Sequence, residues 1–121
     1  MVLPNNRSLT ECSVSAYMAD ISTASSAFVV APFRGKITRV YSVIYAAITG
    51  ADAVWTLEIN GTAVTGVSVT VANSGSAAGD MDSGTPTALN YVSEGDRIEF
   101  VSDGASSTTS PTTFTAVIER D

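Results

Sequence analysis

Residues 53–61 read Ala-Val-Trp-Thr-Leu-Glu-Ile-Asn-Gly, and no other stretch narrows the fold so far. Trp55, Leu57 and Ile59 alternate with Val54, Thr56 and Glu58, the period-two pattern of a strand with one buried face. Asn60-Gly61 follows at once. Both residues tolerate the positive φ of a type I′ turn, whose twist matches that of the strands it joins. The return segment repeats the alternation, with Val67, Val69 and Val71 on one face and Ser68 and Thr70 on the other. A chain with this hairpin at its centre must bury a sheet face.

The rest of the chain extends the pattern. Val14–Met18 and Ala27–Pro32 read as strands, the second closed by the turn Phe33-Arg34-Gly35. Lys36–Ile48 is a longer strand that is apolar on both faces: Ile37, Tyr41, Val43, Tyr45 and Ala47 on one, Val40, Ile44, Ala46 and Ile48 on the other. A strand with one wet face should not look like this. Either a covering segment lies over it or its outer face meets a neighbouring subunit, and nothing in the sequence resembles a covering helix. Residues 73–86 read as a loop, then Thr87–Val92 as a short strand; Glu94-Gly95-Asp96 turns into Arg97–Ser102, and Thr112–Glu119 closes the domain with Phe114, Ala116 and Ile118 inward. No segment shows a sustained 3.6-residue period. The reading is all-β: a jelly-roll or related Greek-key β-sandwich of about eight strands, with residues 1–12 as a short irregular N-terminal arm and 13–121 as one domain. An immunoglobulin-like sandwich is the alternative, weakened by the missing Cys-Trp-Cys core.

Composition removes most chemistry. The 121 residues contain no His, one Cys (Cys12) and one Lys (Lys36). Without His there is no ordinary base for a Ser or Cys nucleophile, and a soft metal lacks its ligands. A Ser-Lys dyad would need Ser three residues before Lys36, where Phe33 stands. Asp80-Met81-Asp82 places two carboxylates near each other but lacks a twelve-residue calcium loop and reads as a solvated acidic loop. Glu58 and Glu99 fall on outward strand phases, so paired-carboxylate hydrolysis is a poor fit, and Gly75-Ser76-Ala77-Ala78-Gly79 precedes no helix that would hold phosphate. The expectation is a non-enzyme without catalytic residues, metal or cofactor. A net charge of −6 argues against nucleic acid. No apolar run reaches the ~20 residues of a membrane helix. The N-terminus lacks the apolar core of a signal peptide, so synthesis in a cytoplasm is expected.

The charge is uneven along the chain. Through residue 60, Arg7, Arg34, Lys36 and Arg39 balance Glu11, Asp20, Asp52 and Glu58; beyond it, Arg97 and Arg120 face eight acids. If each half supplied its own loops to one end of the fold, the molecule would have a neutral end suited to docking and an acidic end facing water. Tyr17, Tyr41, Tyr45 and Tyr91 are candidates for an exposed sugar platform or a subunit contact, whereas Trp55 belongs to the core.

A resemblance rests on longer motifs. Phe28–Tyr41 (Phe-Val-Val-Ala-Pro-Phe-Arg-Gly-Lys-Ile-Thr-Arg-Val-Tyr), Leu57–Gly66, Ser74–Asp80, Val92–Ile98 and the run Ser-Asp-Gly-Ala-Ser-Ser-Thr-Thr from Ser102 together resemble small jelly-roll capsid decoration (cement) proteins of tailed bacteriophages. These are turn and strand motifs rather than catalytic signatures. The resemblance implies a structural virion protein on the outer capsid surface, a homotrimer that binds and stabilises the major capsid protein. In that picture Tyr41, Val43 and Tyr45 form the subunit interface, while Leu3 and Arg7 belong to an arm that grips the capsid. A glycan- or host-surface-binding module of a phage fibre or tail is the competing expectation.

Overall fold

The computed structural model describes residues 10–121, so Leu3 and Arg7 lie outside the described residues. Nine strands are formed: β1 (Glu11–Met18), β2 (Ser25–Val30), β3 (Gly35–Ile44), β4 (Ala53–Ile59), β5 (Thr62–Val71), β6 (Met81–Gly84), β7 (Tyr91–Val92), β8 (Arg97–Ser102) and β9 (Thr112–Arg120). Two antiparallel sheets face each other. Sheet A runs β1-β9-β3-β6, with β7 also paired to β3, and sheet B runs β2-β8-β4-β5. The architecture is the all-β, jelly-roll type of sandwich, with no α-helix among the described residues. β1 opens at Glu11, so its pairing with β9 takes in Glu11 and Cys12, the last two residues read as arm.

The central hairpin forms as its sequence requires. Asn60 and Gly61 take φ of 50° and 85°, and Ile59 pairs with Thr62 across the turn. Alternation then delivers the core. Trp55, Phe100 and Phe114 meet between the sheets, with Trp55 edge-on to both phenylalanines at centroid distances of 5.9 and 5.1 Å and the phenylalanines stacked at 4.8 Å. The Trp55 indole N–H donates to Ser42 Oγ at 3.1 Å, which settles the one polar group this large side chain brings inside.

Three features depart from the sequence reading. The register of β3 against β9 shifts between Ile37 and Arg39, a bulge at Thr38. An extra residue flips the facing of everything beyond it. Ile37 is therefore fully buried rather than sharing a face with Tyr41, while Val40, Ser42 and Ile44 point inward and Tyr41 and Val43 outward. The segment read as one loop contains β6, whose Gly84 lies where a Cβ would come within 2.9 Å of Val69 on β5. The expected strand Thr87–Val92 shrinks to β7, because Leu89 adopts φ 56° and breaks the extended run; Ala88 contributes only an isolated bridge to Thr65.

Strands from the two halves of the chain alternate within each sheet, so the halves do not form separate ends. The two ends nevertheless differ sharply. Loops 19–24, 45–52, 72–80 and 103–111 gather at one end, bringing Asp20, Asp52, Asp80 and Asp103, with Asp82 close by on β6. Among the described residues no Lys or Arg lies there. Arg34, Lys36, Arg39, Arg97 and Arg120 all belong to the opposite half, interspersed with acids.

Candidate functional site

At this mixed-charge end the segment before β7 is held unusually firmly. The Asn90 carbonyl accepts from the Ile37 N–H at 2.9 Å, and the Asn90 side-chain amide donates to the Ile37 carbonyl at 2.7 Å. This two-way clasp buries Asn90 beside the β3 bulge, whose irregular backbone leaves a carbonyl for a side chain to take. On the other flank the backbone of Thr65 holds two neighbours: the Thr65 N–H donates to the Ala88 carbonyl at 3.0 Å, and the Thr65 carbonyl accepts from the Thr87 N–H at 2.9 Å.

Between those anchors stand Leu89 and Tyr91, 64% and 61% exposed. A bulky residue with φ near +56° is uncommon and costs on the order of 1–2 kcal/mol of backbone strain. Strain of this kind persists only where the surroundings over-determine it, as the clasp at Asn90 does here. A groove of about 490 Å³ lies on one side of the pair, lined also by Lys36, Thr38, Pro86, Thr87, Ala88 and Asn90; a smaller hollow on the other side is lined by Ile59 and Thr62 as well as Leu89 and Tyr91. The Lys36 ammonium sits 5.9 Å from the Tyr91 ring centroid, within cation–π range. An aromatic and an aliphatic surface thus stand among three threonine hydroxyls and a cation, and no carboxylate lines either hollow.

The sequence-predicted interface residues lie elsewhere, on the outer face of sheet A. Register places Tyr17, Thr113, Val43 and Met81 in one row across the four strands, and Ser15, Thr115, Tyr41 and Ser83 in the next. Tyr45 follows the first row, its hydroxyl 2.8 Å from Thr113 Oγ1. Tyr17, Tyr45 and Met81 are exposed, Tyr41 and Val43 half-buried, and no described segment covers them. Tyr41, Val43 and Tyr45 are therefore neighbours on one open face. The sequence reading missed Leu89, Asn90 and Lys36 as a group. Their only signal was the awkward Ala-Leu-Asn-Tyr run, which fits strand alternation poorly.

The carboxylates form no catalytic arrangement. Glu58 and Glu99 are directly opposite each other on the outer face of sheet B, with Glu99 accepting from Ser26 Oγ at 2.6 Å, away from both hollows. Among the described residues no group of three or more His, Cys, Asp or Glu is arranged to hold a metal ion. The aspartates of the acidic end work on backbone instead. Burial would raise the Asp20 pKa, but hydrogen bonds from the Ser110 and Ser22 N–H groups and the Thr23 hydroxyl outweigh it and hold the group below its ordinary value. Asp82 is pushed up by burial and by the neighbouring charge of Asp80.

No protein-family model matches the chain, and no curated protein matches it. Several solved structures share its fold. CBM35 from Cellvibrio japonicus Abf62 superposes with a TM-score of 0.54 at 12% identity, covering 91% of this chain and 99% of that one. The carbohydrate-binding module CsCBM6-3 from Clostridium stercorarium, in complex with cellobiose, gives 0.50 at 16% identity, covering 88% and 74%. The catalytic unit of a thermostable GH87 alpha-1,3-glucanase from Streptomyces thermodiastaticus gives 0.52 at 16% identity and 92% of this chain. The chain spans only 22% and 26% of the length of the two glucanase structures it resembles. At these identities the likeness is one of fold.

Proposed function

We propose that this chain is a non-catalytic carbohydrate-binding β-sandwich that takes a saccharide in the groove beside Leu89 and Tyr91. The observation that carries the reading is Leu89 itself: a leucine held out in water at φ 56°, next to an exposed tyrosine and clamped by Asn90. A fold gains nothing in stability from such a posture, so a ligand is the natural reason for it. A sugar suits the place. Its apolar ring face packs on Tyr91 and Leu89, and its hydroxyls find Thr38, Thr87 and Lys36. The sharing of a fold with carbohydrate-binding modules supports the reading without specifying the sugar. Binding to a panel of immobilised oligosaccharides tests it. At least one glycan should be retained, and Tyr91→Ala should weaken that interaction about tenfold, or roughly 1.4 kcal/mol, with thermal stability unchanged. Retention by the variant equal to the parent, or no glycan retained at all, overturns the assignment.

A second reading is favoured by the open tyrosine face of sheet A and by the resemblance to phage decoration proteins. In it the protein is a virion component on the outside of a tailed-phage head, its copies meeting through Tyr41, Val43 and Tyr45 and its arm at Leu3 and Arg7 gripping the major capsid protein. Co-sedimentation with emptied phage heads separates the two: decoration requires stoichiometric capsid binding that Tyr91→Ala does not affect.

A further inference from the structure

Leu89 and Tyr91 are the two residues that line both hollows, so together they form a ridge between them. Asn90 turns inward and is buried, which leaves its two neighbours pointing out. This segment spans from one sheet to the other: Asn90 ties it to Ile37 on β3 of sheet A, and Ala88 ties it to Thr65 on β5 of sheet B. The hollows on its two sides therefore belong to different sheets. β3 supplies Lys36 and Thr38 to the groove, whereas the β4–β5 hairpin supplies Ile59 and Thr62 to the smaller hollow, about 330 Å³ in volume. The hairpin is held as firmly as the groove. At its turn Asn60 Nδ2 donates to Asp96 Oδ1 at 3.0 Å, and Asn60 Oδ1 accepts from the Arg97 N–H at 2.9 Å. Both walls are thus formed before a ligand arrives, the condition under which binding loses least to ordering.

The two sides differ in chemistry. The groove carries an ammonium and two threonine hydroxyls; the hollow offers one threonine hydroxyl, on Thr62, beside Ile59, Leu89 and the Tyr91 ring. A hexose with hydroxyls all round would press some of them against apolar walls in the hollow, which costs binding free energy. A methyl group fills the same space favourably. We propose that the ligand is a linear oligosaccharide laid across this ridge, one unit in the groove and the next in the hollow, the unit in the hollow bearing a methyl group. The proposal rests on the saccharide reading above and adds chain length and unit type to it. Acetamido and 6-deoxy sugars share that methyl. Each unit packs against its own side of Leu89 and Tyr91, and the exposure of both residues leaves room for the glycosidic link to pass over them. A lone monosaccharide uses one side only and is the poorer ligand.

Isothermal titration calorimetry with three series of one to four units reads the result. Chito-oligosaccharides carry the acetamido methyl, rhamno-oligosaccharides the 6-deoxy methyl, and cello-oligosaccharides neither. At least one methyl-bearing series should bind about tenfold tighter as an oligosaccharide than as its monosaccharide. At equal length it should exceed the cello series by about fourfold, the effect of burying one methyl group. The tighter of the two methyl-bearing series names the source of the methyl. Thr62→Arg fills the hollow from an exposed position, so in that variant the gain with length should be lost. Equal affinity at every length, a cello series that matches both methyl-bearing ones, or a folded Thr62→Arg protein that keeps the gain overturns the proposal. Absence of binding in all three series overturns it as well. The parent's own length dependence decides the matter should Thr62→Arg fail to fold. In each of these failures a glycan retained on the panel through Tyr91 leaves the groove reading standing, so the two readings fail separately.

Discussion

The two ends of the sandwich are built from the same materials, short loops between antiparallel strands, and put to opposite uses. At the aspartate end four loops are tied to one another: Ile21 N–H to the Ser110 carbonyl at 3.0 Å, Ser107 N–H to the Thr49 carbonyl at 3.0 Å, Ile48 N–H to Ser76 Oγ at 3.0 Å, and Asn73 N–H to Asp52 Oδ1 at 2.9 Å. Its carboxylates mostly accept from backbone N–H groups: Asp20 from Ser22 and Ser110, Asp80 from Ala77, Asp103 from Val54 and Ala105. The other end has its ties as well, notably the Asn60–Asp96–Arg97 set, but it also carries a strained leucine, an uncapped tyrosine and the cations. Carboxylates without cations need not mean a binding site; here they close the fold. On the saccharide reading, the strained Leu89 and the Tyr91 ring beside it mark the end that binds.

The largest test of that contrast is Gly104→Ala, which should loosen the aspartate end. Gly104 has φ 71°, and a Cβ there would overlap the backbone nitrogen of Ala24 and come within 2.7 Å of its Cα. Backbone cannot step aside as a side-chain tip does. Two adverse effects combine, left-handed strain and a backbone clash, so the loss should be about 3 kcal/mol or more in urea unfolding. A loss under 1 kcal/mol would show that loops 19–24 and 103–111 are not rigidly joined.

Next in size is Asp20→Ala, which removes three hydrogen bonds at once and should cost about 1–3 kcal/mol at neutral pH. Acid supplies an independent check. The folded pKa of Asp20 lies below its unfolded value, so its contribution is fully present above the unfolded carboxylate range and is lost as pH falls through the folded pKa. Asp96 behaves in the same direction through Ser93 and Asn60. Asp82, with its raised pKa, does the opposite: it is unfavourable above its folded pKa and relieved as acid protonates it. Stability measured from pH 6 down to 3 should therefore fall less in Asp20→Asn than in the parent, and Asp82→Asn should be at least as stable as the parent at pH 7.

Much of this organisation could be read before any coordinates. The Asn60-Gly61 hairpin, the inward valines of β5, Trp55 in the core and the outward glutamates all follow from period-two alternation, because a pleated strand leaves each residue only two directions. What escaped was whatever breaks that period. One extra residue at Thr38 reversed the facing of Ile37 relative to Tyr41, and nothing in the string Lys-Ile-Thr-Arg-Val announces a bulge. β6 escaped because Met-Asp-Ser-Gly has low strand propensity and is held by β3 beside it and by packing against β5. An acidic end was expected, but which residues build it escaped for a topological reason. Both halves of the chain feed both ends, so a sum along the sequence could not show it. The groove residues escaped for the same reason as the bulge, since Lys36 and Leu89 meet only once β7 has paired with β3.

The smallest predicted effect is also the most discriminating, because its two readouts move in opposite directions. Leu89→Gly removes a side chain that touches mainly solvent and frees a backbone that already sits at φ 56°. Glycine reaches that conformation without a Cβ penalty, worth about 1–2 kcal/mol, but its more flexible unfolded chain takes back about 0.4–1 kcal/mol. The net should be a gain of up to about 1.5 kcal/mol, seen as a small rise in Tm. Saccharide retention should fall, since the groove loses the apolar wall beside Tyr91. Were Leu89 merely a tolerated irregularity, stability would rise with retention unchanged; were it a packing residue, stability would drop. Only a residue kept in strain for a ligand gives a more stable protein that binds less.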